Sequence, residues 1–320
     1  MKKIALLLLV AVAQLQAAEF GQVATSGAQL LKINFDARAS GLGYAGASLV
    51  GGASAVYTNV AGTASVQNAD VSFTYMPYFA GIKMMGAAGA LNLEGIGVLS
   101  VHAAGFSTDE EITTIEQENG TGERYSISNT VIGVGFARPV MENLVIGVQA
   151  KYYSESYYGH AAHAIAFDVG SRYALGFANA HMALALQNFG PNVRPLEGTY
   201  TDYSDNNLTK NFNDSPLPVT FRVSLSAEPF TGEQYRVRFS ADLVHPNDNV
   251  EHYNVGTEVI LLDALALRGG VKINYDDESF AAGIGLDGSH ILGSGIRIDY
   301  SYEKFKILPS VQKLTLGYSL

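Results

Sequence analysis

The residues that could do chemistry are few. The 320-residue chain has seven histidines and no cysteine, so metal ligation or nucleophilic attack would have to come from histidine, serine and carboxylates. His160 and His163 are the closest histidine pair. Residues three apart on a strand face opposite sides, so these two cannot share a metal unless a loop holds them. Ser100 and His102 lie two apart, on the outward face of the third expected strand. A hydrolase would also need a carboxylate or amide in hydrogen-bond reach, and no nucleophile-elbow motif surrounds this serine. Asp109, Glu110, Glu111, Glu116, Glu118 and Glu123 make one connection strongly acidic, and Asp202, Asp205, Asn206 and Asn207 add oxygen ligands in another. Calcium favours such oxygens, yet the central glycine and closing glutamate of an EF-hand do not fall in place after Asp202, so both read as solvated loops. Asn119-Gly120-Thr121 and Asn207-Leu208-Thr209 fit a eukaryotic glycosylation sequon, which is given no weight. Gly133-Val134-Gly135 and Gly283-Ile284-Gly285 do not open a helix after a strand, as phosphate binding requires. The expectation is a protein without enzymatic activity, metal or cofactor.

The elements that hold these residues identify the setting. Lys2 and Lys3 precede the apolar run Ile4 to Ala13, and Leu15-Gln16-Ala17-Ala18 offers a small-residue cleavage site. That is a secretory signal peptide over residues 1–18, too short to cross a bilayer as a helix. The formal charge of −10 excludes nucleic acid as a partner, because such surfaces are basic. Only 16% of residues are charged, and there are 34 glycines and 18 tyrosines. A soluble β-protein would carry more charge on its solvent face; a barrel in lipid would not.

Period-two alternation decides the class. In Tyr235-Arg236-Val237-Arg238-Phe239-Ser240-Ala241-Asp242-Leu243 every odd position is apolar and every even one polar. Val219 to Glu228 and Ile296 to Glu303 repeat the pattern. Such strands have one apolar and one polar face. About fourteen are expected, near 69–79, 82–93, 95–106, 126–138, 143–155, 162–173, 178–189, 217–228, 235–244, 250–262, 264–275, 278–286, 293–303 and 310–320. The two longest connections, around 107–125 and 190–216, both follow odd-numbered strands, as external loops of bacterial barrels do. The class is all-β: a transmembrane antiparallel barrel over residues 69–320, preceded by an N-terminal hatch or plug segment at 19–68.

The inward faces differ around the wall. Gly86, Ala88 and Ala90 on the second strand, and Gly133, Gly135 and Ala137 on the fourth, are small. Strands eight to thirteen instead carry Arg222, Glu228, Arg236, Arg238, Asp242, Glu258, Arg268, Lys272, Arg297 and Asp299. The expectation is a plug packed on the small-residue wall, facing a ladder of ion pairs on the charged one.

Several segments resemble the PorV/PorQ family, relatives of the FadL-type channels. Ala37 to Ala47, containing Gly41 and Gly43, looks like that family's small-residue hatch; Asn59-Val60-Ala61-Gly62 looks like its Asn-Pro-Ala-Gly element, with Val60 in the proline's place and a less rigid turn implied. Leu186 to Pro191, Leu217 to Arg222, Asn254 to Glu258, Leu267 to Gly270 and Ile298 to Tyr302 extend the likeness over most of the mature chain. The apolar C-terminal strand, ending in Leu314, Leu316, Tyr318 and Leu320, is similar to the signal read by outer-membrane assembly machinery, though an aromatic residue is commoner last. The resemblance implies a fourteen-stranded FadL-like outer-membrane barrel with a hatch. It implies one of two roles: binding the C-terminal domain of type IX secretion cargo, or passive passage of a hydrophobic small molecule. Partners beyond outer-membrane lipid are then cargo and secretion components, or that small molecule.

Overall fold

A computed structural model describes residues 23–118, 120–157, 160–195, 199–202, 208–289 and 293–320, with backbone alone for 199–202 and 208–211. The expected signal peptide, Asn119, Asp205, Asn206, Asn207 and the side chain of Asp202 lie outside what is described. Fourteen strands form the wall: β1 Ala69–Pro77, β2 Lys83–Leu93, β3 Gly97–Glu111, β4 Arg124–Met141, β5 Leu144–Tyr157, β6 His160–Ala174, β7 His181–Phe189, β8 Thr220–Thr231, β9 Tyr235–Pro246, β10 His252–Leu261, β11 Leu265–Ile273, β12 Glu278–Asp287, β13 Ile296–Phe305 and β14 Val311–Ser319. Each pairs antiparallel with its neighbour in sequence. The ring closes where β1 meets β14, from Asp70↔Ser319 to Tyr75↔Leu314. No helix among the described residues is long and apolar enough to cross a membrane; strands are the only elements that can.

Alternation becomes geometry in the burial of each strand. On β1, Asp70, Ser72, Thr74 and Met76 are buried, while Val71 and Phe73 are exposed. The same two-residue rhythm runs through Val134, Val148, Val169, Val255 and Leu316, all exposed apolar residues on the outer wall. In water such a surface would be an open apolar patch; in a bilayer it is the lipid-facing belt. Exposed aromatics rim both ends. Tyr157, Phe189 and Phe280 stand towards one end, and Phe177, Phe230, Tyr235 and Tyr318 towards the other.

The ends are unlike. The connections 112–123 and 190–219 leave the same end as the turns after the other odd strands. Opposite them lie tight turns such as 142–143, 232–234 and 262–264. We call these the long-loop end and the short-turn end, which face outside and periplasm in bacterial barrels. Both register shifts at Pro139 and Pro229 lie near the short-turn end. A proline has no N–H for the ladder, so the strand bulges there.

Residues 23–68 thread the interior from end to end. Ala24 N–H donates to the Asp248 carbonyl (3.2 Å) and Gly27 N–H to that of Pro216 (3.0 Å), both at the long-loop end. Ala37 N–H reaches Thr315 Oγ1 (3.0 Å), Ser48 N–H reaches Ser224 Oγ (3.0 Å) and Ala53 N–H reaches Asp70 Oδ1 (2.8 Å). At the short-turn end Asn92 Nδ2 donates to the Gln67 carbonyl (2.7 Å). The segment holds only short helical pieces: Gln29–Lys32, Ala37–Gly41, Ala53–Tyr57 and Val60–Ser65.

Candidate functional site

The lumen is the candidate site, and Asn59 shows how it is built. Its side chain caps the 3₁₀ turn Val60–Ser65 by accepting from Ala61 N–H (3.1 Å). The amide donates to the Ala47 carbonyl (3.0 Å) and to that of Ser171 on β6 (3.1 Å). One asparagine thus ties the turn to the segment and to the wall. Val60 opens the turn and is buried against Gly135 on β4. This first helical position is where a proline's missing N–H would cost nothing. Ala61 backs onto Gly147 of β5, where an added Cβ would lie 2.6 Å from the Ala61 nitrogen. Gly62 packs against the Val50 carbonyl.

Asp36 does the corresponding work for the earlier piece Ala37–Gly41. Its carboxylate caps Ala37–Gly41 by accepting from Arg38 N–H (3.0 Å) and Ala39 N–H (3.2 Å). Gly41 then lies on Gly283 of β12, and Gly43, at φ +64°, lies on Gly270 of β11. The segment therefore packs on two walls. It meets the small residues of β4 and β5, and also glycines standing among the charged residues of β10 to β12.

The charged side chains of that second wall form linked ion pairs. Glu258 is fully buried and receives Arg38 through Nε (3.0 Å) and Nη2 (2.9 Å), Arg268 (2.7 Å) and Arg238 (3.2 Å). Arg238 continues to Glu228 and Arg268 to Asp299, both at 2.5 Å. Arg222 pairs with Asp242 (3.1 Å), Arg236 with Asp263 (2.6 Å) and Arg297 with Asp70 (2.7 Å). Lys272 bridges Glu278 (2.6 Å) and Glu303 (3.0 Å), and Lys313 joins Glu303 (2.7 Å). Tyr44 lies inside this last group: its hydroxyl is 3.1 Å from Glu303 Oε1, and Lys272 Nζ stands 3.9 Å from its ring centroid. Buried charge of this density is tolerable because each group has an opposite partner.

Sequence reasoning missed part of this set. Asp70, Glu303 and Lys313 join the network, and Lys151 and Asp168 form a buried pair (2.7 Å) between β5 and β6, on the side expected to carry small residues. All five stand at inward positions, so strict parity alone would have found them. Ser100 and His102 are a correction: they face inward, 1% and 5% exposed, because Leu99 and Val101 take the lipid side of β3. His102 meets the Tyr57 ring edge-on at 5.3 Å, and neither Ser100 Oγ nor His102 Nδ1 has a hydrogen-bond partner. They form no nucleophile–base pair. His160 and His163 stand on opposite faces of β6, and His163 stacks with Tyr152.

A cavity of about 380 Å³ lies at the long-loop end, between residues 29–34 and the wall. Leu31, Ile33, Met76, Tyr78, Phe305 and Val311 give it an apolar side. Arg222, Glu303 and Lys313 give it a charged floor. It adjoins a buried cluster that includes Leu30, Phe35, Met84 and Val131. Phe79 packs edge-on against Phe305 at 5.2 Å beside it.

Solved structures match this architecture over nearly their whole length. The monoaromatic hydrocarbon channel CymD superposes with a TM-score of 0.57 at 12% identity, covering 88% of this chain and 96% of that one. A Pseudomonas aeruginosa FadL homologue gives 0.55 at 11% identity, covering 89% and 98%. The fold is similar to that of these channel barrels. The Ralstonia pickettii toluene transporter TbuX superposes with a TM-score of 0.53 at 12% identity, covering 90% of this chain and 98% of that one. No family model and no curated protein matches the sequence. The FadL-type likeness at this identity concerns the fold, and the matched proteins are named as channels and transporters.

Proposed function

We propose that the protein is a passive outer-membrane channel that admits a hydrophobic small molecule from the long-loop end. The carrying observation is the cavity beside residues 29–34, the one part of the lumen's open space where Met76, Tyr78, Phe305 and Val311 converge. Its volume falls in the range of about 300–1,000 Å³ typical of small-molecule sites. The apolar residues supply affinity, and the charged ones, Lys32, Arg222, Glu278, Glu303 and Lys313, orient a polar end if the molecule has one. The FadL-type fold supports this reading over the secretion role implied by the PorV/PorQ resemblance. The strand pairings run continuously around the ring among the described residues, so the proposed route runs along the lumen, past the segment.

Uptake of toluene by a double-membrane bacterial host producing the protein tests the reading. Val311→Trp should fill the cavity and reduce uptake severalfold with the barrel still inserted. Uptake equal to that of cells lacking the protein would refute a channel for such molecules.

The secretion reading has one observation in its favour. The hairpin of β3 and β4 carries Glu111 and Arg124 at its tip-side ends, and beyond them Ile115 is 97% exposed on an acidic loop. Co-purification with proteins bearing a type IX C-terminal domain, lost on trimming residues 112–123, is the result that would move the assignment there.

A further inference from the structure

A second, larger cavity of about 460 Å³ lies at the other end of the barrel, and its lining is richer in arginine. Arg38, Arg172, Arg238 and Arg297 all face it, together with His181 and Ser226. It is bordered by Ala69 and Leu320, the first and last positions of the wall, so it belongs to the short-turn end.

The arginines there are not equivalent. Arg38 has Glu258, Arg238 has Glu228 and Arg297 has Asp70. Deeper and alongside, Arg222, Arg236 and Arg268 have Asp242, Asp263 and Asp299. Arg172, at an inward position of β6, has no carboxylate partner among the described residues, and its buried Nε has no acceptor. Ser226 faces the same cavity from β8 with a buried hydroxyl that is likewise unpartnered, in register with His181 across the β7–β8 ladder. His181 Nδ1 lies 3.0 Å from the Asn179 carbonyl, the geometry of a donor, which turns Nε2 away from that turn.

We propose that this vestibule binds an oxyanion, a carboxylate or phosphate group, with Arg172 as its principal ligand. A part-buried guanidinium without a counter-charge is costly, whereas one that meets a carboxylate or phosphate through two parallel N–H donors is strongly stabilised. The proposal is independent of what enters at the long-loop end: it concerns a different cavity at the opposite end of the barrel.

Isothermal titration of the full chain in nonionic detergent decides it, using inorganic phosphate, succinate and octanoate as separate probes. At least one should bind saturably. Arg172→Met should weaken that binding roughly 10- to 100-fold, the loss of a charge-assisted pair. Arg172→Lys, which keeps the charge but not the fork, should lie between, and Arg138→Met, exposed on β4, should bind as the parent does. Saturation by phosphate or succinate assigns the site to a free oxyanion, and saturation by octanoate alone assigns it to the head of an amphiphile. If none of the probes saturates, or if Arg172→Met binds like the parent while the Arg172→Lys protein is folded, the proposal is overturned.

Discussion

Replacing Glu258 by glutamine tests whether ion pairs hold the interior segment in place. Glu258 is fully buried and accepts from three arginines, but they depend on it unequally. Arg238 keeps Glu228 and Arg268 keeps Asp299, each at 2.5 Å. Arg38 is the one without a second ion pair, and it is the one that belongs to the segment rather than the wall. The damage should therefore concentrate on the contact between segment and barrel. Stranding one partner of a buried pair costs about 3–5 kcal/mol. Glutamine keeps the volume and one acceptor oxygen, so the lower part of that span is expected. Two readouts separate seating from wall stability: protease cleavage within residues 23–68 should accelerate, and single-channel conductance in planar bilayers should rise or flicker. The barrel itself should survive, since its ladder is untouched. Adding Arg38→Met should recover part of the loss by removing the stranded charge. Cleavage and conductance indistinguishable from the parent would show that the arginine–glutamate cluster does not secure the segment.

Neighbouring glycines on β11 give a sharper steric test: Gly270→Ala places a Cβ against the Leu42 carbonyl group, whereas Gly269 faces open space. The first should lower the melting temperature by the equivalent of about 1–3 kcal/mol of overpacking and the second should leave it unchanged. Deleting residues 23–66 should raise planar-bilayer conductance, and unchanged conductance would mean that the segment does not obstruct the lumen. Acid should loosen the outer anchorage of the segment. Burial alone would raise the Asp248 carboxyl, but Lys32, Ser26 and Gln29 outweigh it and hold it below the ordinary aspartate value. A depressed carboxyl contributes fully above the unfolded value of about 3.9 and is lost as pH falls through the depressed one. Proteolysis near residues 24–32 should rise only below about pH 4, and Asp248→Asn should show the faster cleavage already at neutral pH.

The wall was legible because a membrane leaves it so little freedom. Val71, Phe73, Val134 and Leu316 must meet lipid, and that requirement writes a two-residue rhythm into every strand. The same rhythm was under-used for the interior: Lys151, Asp168 and Lys313 obey it, as do Ser100 and His102, whose aliphatic neighbours Leu99 and Val101 mark the outer face. The segment was harder, because nothing periodic governs it. Its path is set by where glycine allows approach, at Gly147 and Gly270, and by single side chains such as Asn59, which bonds both to Ala47 along the segment and to Ser171 on the wall. Both cavities arise from residues brought together across hundreds of positions, such as Ile33 with Val311 and Arg38 with Arg297. No local pattern encodes such a meeting.

The closing strand has a consequence for the order of events. β14 is nine residues long, and it both seals the ring against β1 and carries Thr315 and Lys313, which bond to Ala37 and Ser40 inside. Once that seam is zipped, a chain crossing the full length of the lumen and touching β4, β5, β8 and β11 on the way can no longer be laid in from the side. The wall must therefore curl around a segment already in place. Residues 23–68 serve as the former on which the cylinder is rolled, and the pairing of β14 with β1 sets the moment at which they are locked in.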